Sequence, residues 1–268
     1  VSGGRPALAA HRGGAALWPE NSLTAFRRSI ELGVDLVELD VRLSADGQVV
    51  VIHDGTLART TTGSGPVDGH TAAALAAVRL KGPDGVEVGE GVPTLRQVLD
   101  LLAPTRTGLL LEIKSPGVNA RYERREGRVE AIGGPRLDGL EEGCVAALEE
   151  AGLSGRTRVM AFNPDVVRRL GAMAPETRRT LLVAAGHVST AQATADETVQ
   201  WAMDVGATDV GLEHTLLDAS VMARARGGGI AVGVWTVNDE AAMRRAIDLG
   251  VDVLTTDRPD LARRVLGR

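Results

Sequence analysis

The chain has 268 residues, 44% of them hydrophobic and 24% charged, with a formal net charge of −5. Such a length buries a large core and suits either one or two domains of about 150 residues or a single α/β barrel of about 250. The composition excludes disorder, collagen-like repeats and a disulfide scaffold, the acidic balance without a basic face excludes a general nucleic-acid partner, and no apolar run reaches the roughly 18 residues of a membrane span.

The opening residues VSGGRPALAA show no charged segment followed by an apolar one, so the expected location is cytoplasmic. A first strand is expected at 7–11, ending in His11-Arg12-Gly13-Gly14. Arg12 offers a planar fork suited to phosphate, and the two glycines allow close backbone approach to a ligand. In Pro19-Glu20-Asn21, Glu20 is placed to orient Arg12, and Asn21 reads as the N-cap of a helix over 21–32.

The second strand, 35–42 (DLVELDVR), sets Glu38 and Asp40 on one face. Two unpaired carboxylates among valine and leucine are costly in a dry core, so they imply either a solvated face or a cation between them. Ala45-Asp46-Gly47-Gln48 is too short for a crossover helix and signals a hairpin into 49–53. Read as a two-residue Asp46-Gly47 turn, it pairs positions that sum to 93 and sets His53 opposite Asp40. A one-residue slip would send His53 to the other face.

Residues 55–93 read as a small inserted subdomain before a helix at 94–103. The strand 108–113 brings Glu112, with Lys114 just beyond, to one face at its carboxyl end, where charged residues of a barrel serve catalysis; the plainer alternative is an ion pair. Residues 115–137, including RYERREGR at 121–128, read as a solvated mouth loop. The single cysteine, Cys144, lies in the apolar pattern of a helix at 138–151 and reads as core. Strands then follow at 157–162, 180–184, 208–213, 230–237 and 251–256, alternating with helices at 164–171, 195–205, 216–226, 239–248 and 259–266. His187 reads as a surface residue and Asp257 as the N-cap of the last helix.

Setting the hairpin strand aside leaves eight parallel strands: an α/β, (β/α)8 TIM barrel forming one domain over 1–268, with a hairpin on its second strand and an insertion after it. The carboxyl ends of its first three strands would gather His11, Arg12, Glu38, Asp40, His53, Glu112 and Lys114 around one cavity. Three carboxylates without cysteine suit a hard cation, Ca2+ or Mg2+, and two histidines suit an acid–base pair near neutral pH.

The segments Ala10-His11-Arg12-Gly13-Gly14, Pro19-Glu20-Asn21, Gly33 to Val41 and Val51-Ile52-His53-Asp54 resemble the glycerophosphodiester phosphodiesterase family. So do Pro93-Thr94-Leu95, Leu111-Glu112-Ile113-Lys114, Trp235-Thr236-Val237-Asn238 and Thr256-Asp257-Arg258-Pro259, and the resemblance covers roughly 7–262. It implies a TIM barrel with a segment inserted after His53-Asp54, and one divalent cation, Ca2+ or Mg2+, held by Glu38, Asp40 and Glu112. It further implies His11 and His53 as the acid–base pair, with Arg12 and Lys114 neutralising the phosphate. The implied reaction splits a glycerophosphodiester, a small-molecule substrate, into an alcohol and sn-glycerol 3-phosphate. Trp235 is expected to pack against one substrate arm, with Glu20 and Asn238 supporting the site. Ala161-Phe162-Asn163 departs from the family's Ser-Phe-Asp and removes a hydroxyl near the mouth. The same site would also serve a lysophospholipase D-like or other phosphodiesterase, or a barrel that binds glycerophosphodiesters without turnover.

Overall fold

Strands such as Leu109-Leu110-Leu111 are apolar on both faces, and such strands are stable only when both faces are covered. The computed structural model, which describes residues 5–268, covers them in this way. The chain runs β1 (Ala7–Ala10), α1 (Leu23–Leu32), β2 (Leu36–Leu43), β3 (Val49–Val51), α2 (Ala72–Ala77), α3 (Leu95–Leu102) and β4 (Gly108–Ile113). It continues with β5 (Ala120–Arg125), β6 (Arg128–Gly133), α4 (Leu140–Glu150), β7 (Thr157–Ala161), α5 (Pro164–Met173), β8 (Arg178–Val183), α6 (Ala185–Thr190) and α7 (Glu197–Asp204). The last third is β9 (Asp209–Glu213), α8 (Ala219–Gly228), β10 (Ala231–Trp235), α9 (Glu240–Leu249), β11 (Val253–Thr256) and α10 (Pro259–Val265).

Eight parallel strands, in the order β1-β2-β4-β7-β8-β9-β10-β11, close on themselves to form a TIM barrel. Closure is the ladder of β1 with β11, from Ala7 opposite Val253 to Ala10 opposite Thr256. Outward side chains such as Leu39, Leu111, Val159 and Leu212 meet Phe26, Leu99, Cys144 and Trp201 of the helices in one continuous core. Inward side chains, among them Leu36, Leu110, Met160, Leu182 and Val253, fill the bore below the site. Among the described residues no helix is long and apolar enough to cross a membrane.

The antiparallel pairing of β3 with β2 follows the expected hairpin, but its register differs by one. Val41 pairs with Val51 and Leu43 with Val49. The turn holds three residues, Ala45, Asp46 and Gly47, closed by Ser44 N–H on Gln48 O at 3.0 Å, with Gly47 at φ 74°. Three-residue hairpin loops place such a left-handed residue last, and glycine takes that conformation without strain. The Ser44 hydroxyl, bound to Asp46 Oδ1 at 2.6 Å, selects this turn over the two-residue one.

Residues 115–137 are more than a loop: β5 and β6 pair across Glu126-Gly127, both at positive φ, as a two-residue hairpin turn. Tyr122, Val129 and Ala131 lie buried on one face of this hairpin, while Arg121, Arg128 and Glu130 face solvent. Residues 55–93 pack Leu57, Val67, Leu75, Leu80 and Val92 against Val50 and Ile52 of the hairpin on β2, in a small core of their own that contains α2. Two short helices add to the expected ones: α2 in the stretch read as an insertion, and α6 between the expected strand 180–184 and helix 195–205. The Pro93-Thr94-Leu95 motif is a helix start: Thr94 and Gln97 form a capping box on α3, and Pro93 O accepts from Val51 N at 2.8 Å.

Candidate active site

The site lies at the carboxyl ends of β1, β2 and β4, where eight parallel strands aim their last inward side chains at one space. A cavity of about 160 Å3 there is lined by His11, Arg12, Glu38, His53, Glu112 and Lys114 on one side, with Phe162 and Trp235 across from them.

β2 alternates, so Glu38 and Asp40 point inward, and both are buried, as is Glu112 from β4. One oxygen from each of the three carboxylates lies within 4.8 Å of the others. Burial, and then the Asp40 and Glu112 charges, push the Glu38 carboxyl up to about 7. Burial would raise Asp40 as well, but Lys114 and then Arg12 outweigh it and hold that carboxyl well below the usual range. Lys114 Nζ stands 2.9 Å from Asp40 Oδ1 and also donates to Glu112. Arg12 Nε stands 3.3 Å from Asp40 Oδ2. An all-oxygen donor set with an excess of buried negative charge fits a hard divalent cation.

Arg12 takes a left-handed conformation at φ 50°, which turns its backbone N–H onto Glu38 Oε2 at 2.8 Å and its side chain toward the carboxylates. Glu20 Oε1 accepts from Arg12 Nη1 at 3.0 Å. Asn21, read from the sequence as a helix cap, does a different job. Ser22 caps α1 by accepting from Ala25 N, while Asn21, at φ 57°, donates from Nδ2 to Asp40 Oδ2 at 2.8 Å. Asn21 thus fixes the Asp40 carboxylate, and the N-cap position falls one residue later, on Ser22.

Each histidine has an acidic partner on Nδ1. His11 Nδ1 lies 2.7 Å from Asp257 Oδ1, and His53 Nδ1 lies 2.6 Å from Asp54 Oδ1. Burial alone would lower His11, but Glu38 and then Asp257 outweigh it and raise this group above its ordinary value. Burial lowers His53, against the pull of Asp40. Asp257 is not the cap of α10, whose N-cap is Arg258 with no side-chain cap bond. Asn238 donates to Asp257 Oδ2 at 2.7 Å and accepts the Asp257 N–H at 2.9 Å, so the motif around Trp235 supports the carboxylate behind His11. The partner of His11 lies at the far end of the chain, where no spacing rule reaches it.

His53 lines the cavity by a route other than the expected one. In the observed register Ile52 N donates to Asp40 O at 3.0 Å, so strict alternation would turn His53 away. The strand stops at Val51, and Arg42 Nε holds the His53 carbonyl at 2.8 Å as the chain turns inward.

Trp235 Nε1 donates to Gly211 O at 3.0 Å, and its ring meets Phe162 edge-on, with centroids 5.4 Å apart at 87°. His187 is half-buried rather than at the surface, between Phe162 and Tyr122, and Tyr122 stacks on Trp201 at 4.3 Å. These rings come from four elements and the turn after β7, far apart in the sequence, so composition alone hid the array. Asn163, in the departing Ala-Phe-Asn segment, caps α5 and donates to the Gly134 and Pro135 carbonyls, tying the base of the β5–β6 hairpin to the barrel.

The chain is similar to known proteins over nearly its whole length. The model of the glycerophosphoryl diester phosphodiesterase family matches residues 11–261. A glycerophosphodiester phosphodiesterase of Caldanaerobacter subterraneus is 31% identical over 252 residues, covering 94% of this chain and 93% of its own. The crystal structure of an Agrobacterium tumefaciens glycerophosphodiester phosphodiesterase is 25% identical, with a TM-score of 0.74 and coverage of 97% of this chain and 99% of that one. An Oleispira antarctica phosphodiesterase, solved in complex with its product sn-glycerol-3-phosphate, is 25% identical, with a TM-score of 0.77 and coverage of 98% of both chains. With a closed barrel, buried carboxylates and acid-paired histidines at its mouth, and a family match from His11 to Leu261, the chain belongs to the glycerophosphoryl diester phosphodiesterase family.

Proposed function

We propose that the protein hydrolyses glycerophosphodiesters to an alcohol and sn-glycerol 3-phosphate, using a divalent cation and two histidines. The observation that carries this reading is the convergence of Glu38 and Glu112 with His11 and His53 on one cavity, with the buried Asp40 carboxylate beside those two. The product complex of the Oleispira relative supports the substrate class. Glu38, Asp40 and Glu112 would hold Ca2+ or Mg2+, which supplies Lewis-acid charge against the phosphate. Arg12 and Lys114 add fixed positive charge facing the same space, aimed at oxygens that gain charge in the transition state. With Nδ1 engaged by Asp257 or Asp54, each histidine keeps Nε2 as the nitrogen that exchanges a proton with substrate. One takes the proton of the attacking oxygen; the other protonates the alcohol oxygen as its bond to phosphorus breaks. Trp235 and Phe162 form the wall for a substrate arm.

Release of sn-glycerol 3-phosphate from glycerophosphocholine and glycerophosphoethanolamine tests this, with EDTA, Mg2+ or Ca2+. Cation-dependent release that disappears in His11→Ala and Glu38→Ala is the expected result. Release unaffected by EDTA, or retained in both variants, overturns it.

A further inference from the structure

Arg59 belongs to the inserted segment, outside every motif of the site. It sits at the apex of one closed turn: Leu57 O accepts both Thr61 N at 3.1 Å and the Thr61 hydroxyl at 2.8 Å. Leu57 and Thr61 are both fully buried in or beside the insertion's own core, so the apex is held at its base. From there the guanidinium reaches two carboxylates at once. Nε and Nη2 donate to Asp54 at 2.6 and 3.0 Å, and Nη1 and Nη2 donate to Glu20 at 2.8 and 2.9 Å. Those two carboxylates are the ones that hold His53 and Arg12.

We propose that Arg59 is a positioning residue that locks Asp54–His53 and Glu20–Arg12 into one frame, making the inserted segment part of the working site. The inference rests on the proposed roles of His53 and Arg12. Glu20 and Asp54 are 34 positions apart, on the loop after β1 and at the end of the hairpin on β2, and Arg59 bridges them with four N–H bonds. A planar fork suits this span, whereas a lysine ammonium presents its donors from one point. Arg59 is about half exposed, with a side-chain accessibility of 48%, so its ion pairs add little to global stability. Their effect falls on orientation: without Arg59, Asp54 and Glu20 turn toward solvent, and the groups they hold turn with them.

The test compares wild type, Arg59→Ala, Arg59→Lys, His53→Ala and the double variant His53→Ala/Arg59→Ala on glycerophosphocholine with saturating Mg2+ or Ca2+. Loss of partners behind a catalytic or metal-bound group typically costs about 10- to 100-fold in activity, and kcat of Arg59→Ala should fall in that range. The melting temperature should stay within a few degrees, Arg59→Lys should recover little, and added ethylguanidinium should restore part of the rate to Arg59→Ala. Arg59→Ala should cost less in the His53→Ala background than in wild type, because only the Glu20–Arg12 limb is then left to disturb. Arg59→Ala within twofold of wild type overturns the inference, and so does a loss that guanidinium does not restore and that adds fully to His53→Ala. Full activity in His53→Ala would instead sink the functional reading beneath it.

Discussion

Replacing Asp257 should slow the reaction without weakening substrate binding. Its Oδ1 lies 2.7 Å from His11 Nδ1, and its Oδ2 accepts from Asn238, so it fixes both the plane and the tautomer of the imidazole. A hydrogen bond to a charged group contributes about 1.5–3 kcal/mol. At about 1.4 kcal/mol per tenfold in rate, Asp257→Ala should lower kcat by roughly 10- to 150-fold if that bond is at full strength when His11 carries its proton. KM should change by less than about threefold, because Asp257 stands behind His11 and is absent from the cavity wall. Asn238→Ala, which loosens Asp257 but leaves its charge, should show the same pattern at a smaller amplitude. Steady-state kinetics of sn-glycerol 3-phosphate release from glycerophosphocholine measures both. A kcat within threefold of wild type in Asp257→Ala, or a loss carried entirely by KM, would refute the orienting role.

Other expectations follow from burial and charge. Excess Mg2+ or Ca2+ should stabilise the fold: at 100 times Kd, binding contributes about 2.7 kcal/mol, or about 5–10 °C in Tm. A melting curve indifferent to both ions, and to EDTA, would count against a site at Glu38, Asp40 and Glu112. Phe26 is fully buried between α1 and the barrel, so Phe26→Ala should cost about 3–5 kcal/mol in a denaturant titration. Gly13, at φ 79°, leaves no room for a Cβ, which would lie 2.7 Å from Ala25 Cβ. Gly13→Ala should therefore destabilise by about 1–3 kcal/mol and displace Arg12, visible as a rise in KM alongside the lower stability. Cys144 is fully buried, and burial pushes its thiol far up, so a thiol reagent should label the native protein only on the timescale of unfolding.

The barrel was legible because its signal is repeated. Eight apolar strands alternate with helices, and each expected strand overlaps an observed one within a few residues at either end. The carboxylates were legible because Glu38 with Asp40, and Glu112 with Lys114, sit at the two-residue period of strands whose inward face is set by their apolar neighbours. Three things were hidden, each for its own reason. The hairpin register depended on a serine hydroxyl bonding Asp46, a preference that the Asp-Gly pair does not display. The β5–β6 hairpin turns on Glu126-Gly127, and its charged outer face masked the alternation of Tyr122, Val129 and Ala131. The work done by Asn21 and Asp257 is long-range: each follows a local motif that suggests a helix cap, and each is drawn instead to a distant side chain, Asn21 to the buried Asp40 of β2 and Asp257 to His11 just beyond β1.

The pairing of His11 with Asp257 joins positions 246 apart, across the seam where β1 meets β11. A nascent chain that has not yet delivered its final strand already contains all three carboxylates and both histidines, but not the partner that orients His11. On the proposed role of His11, full turnover therefore requires the last element to be seated, and the rate becomes a readout of topological completion. In refolding, the return of activity should lag behind the return of helical signal by the time needed to close that seam. That step is slow because so much chain must be ordered before the contact forms.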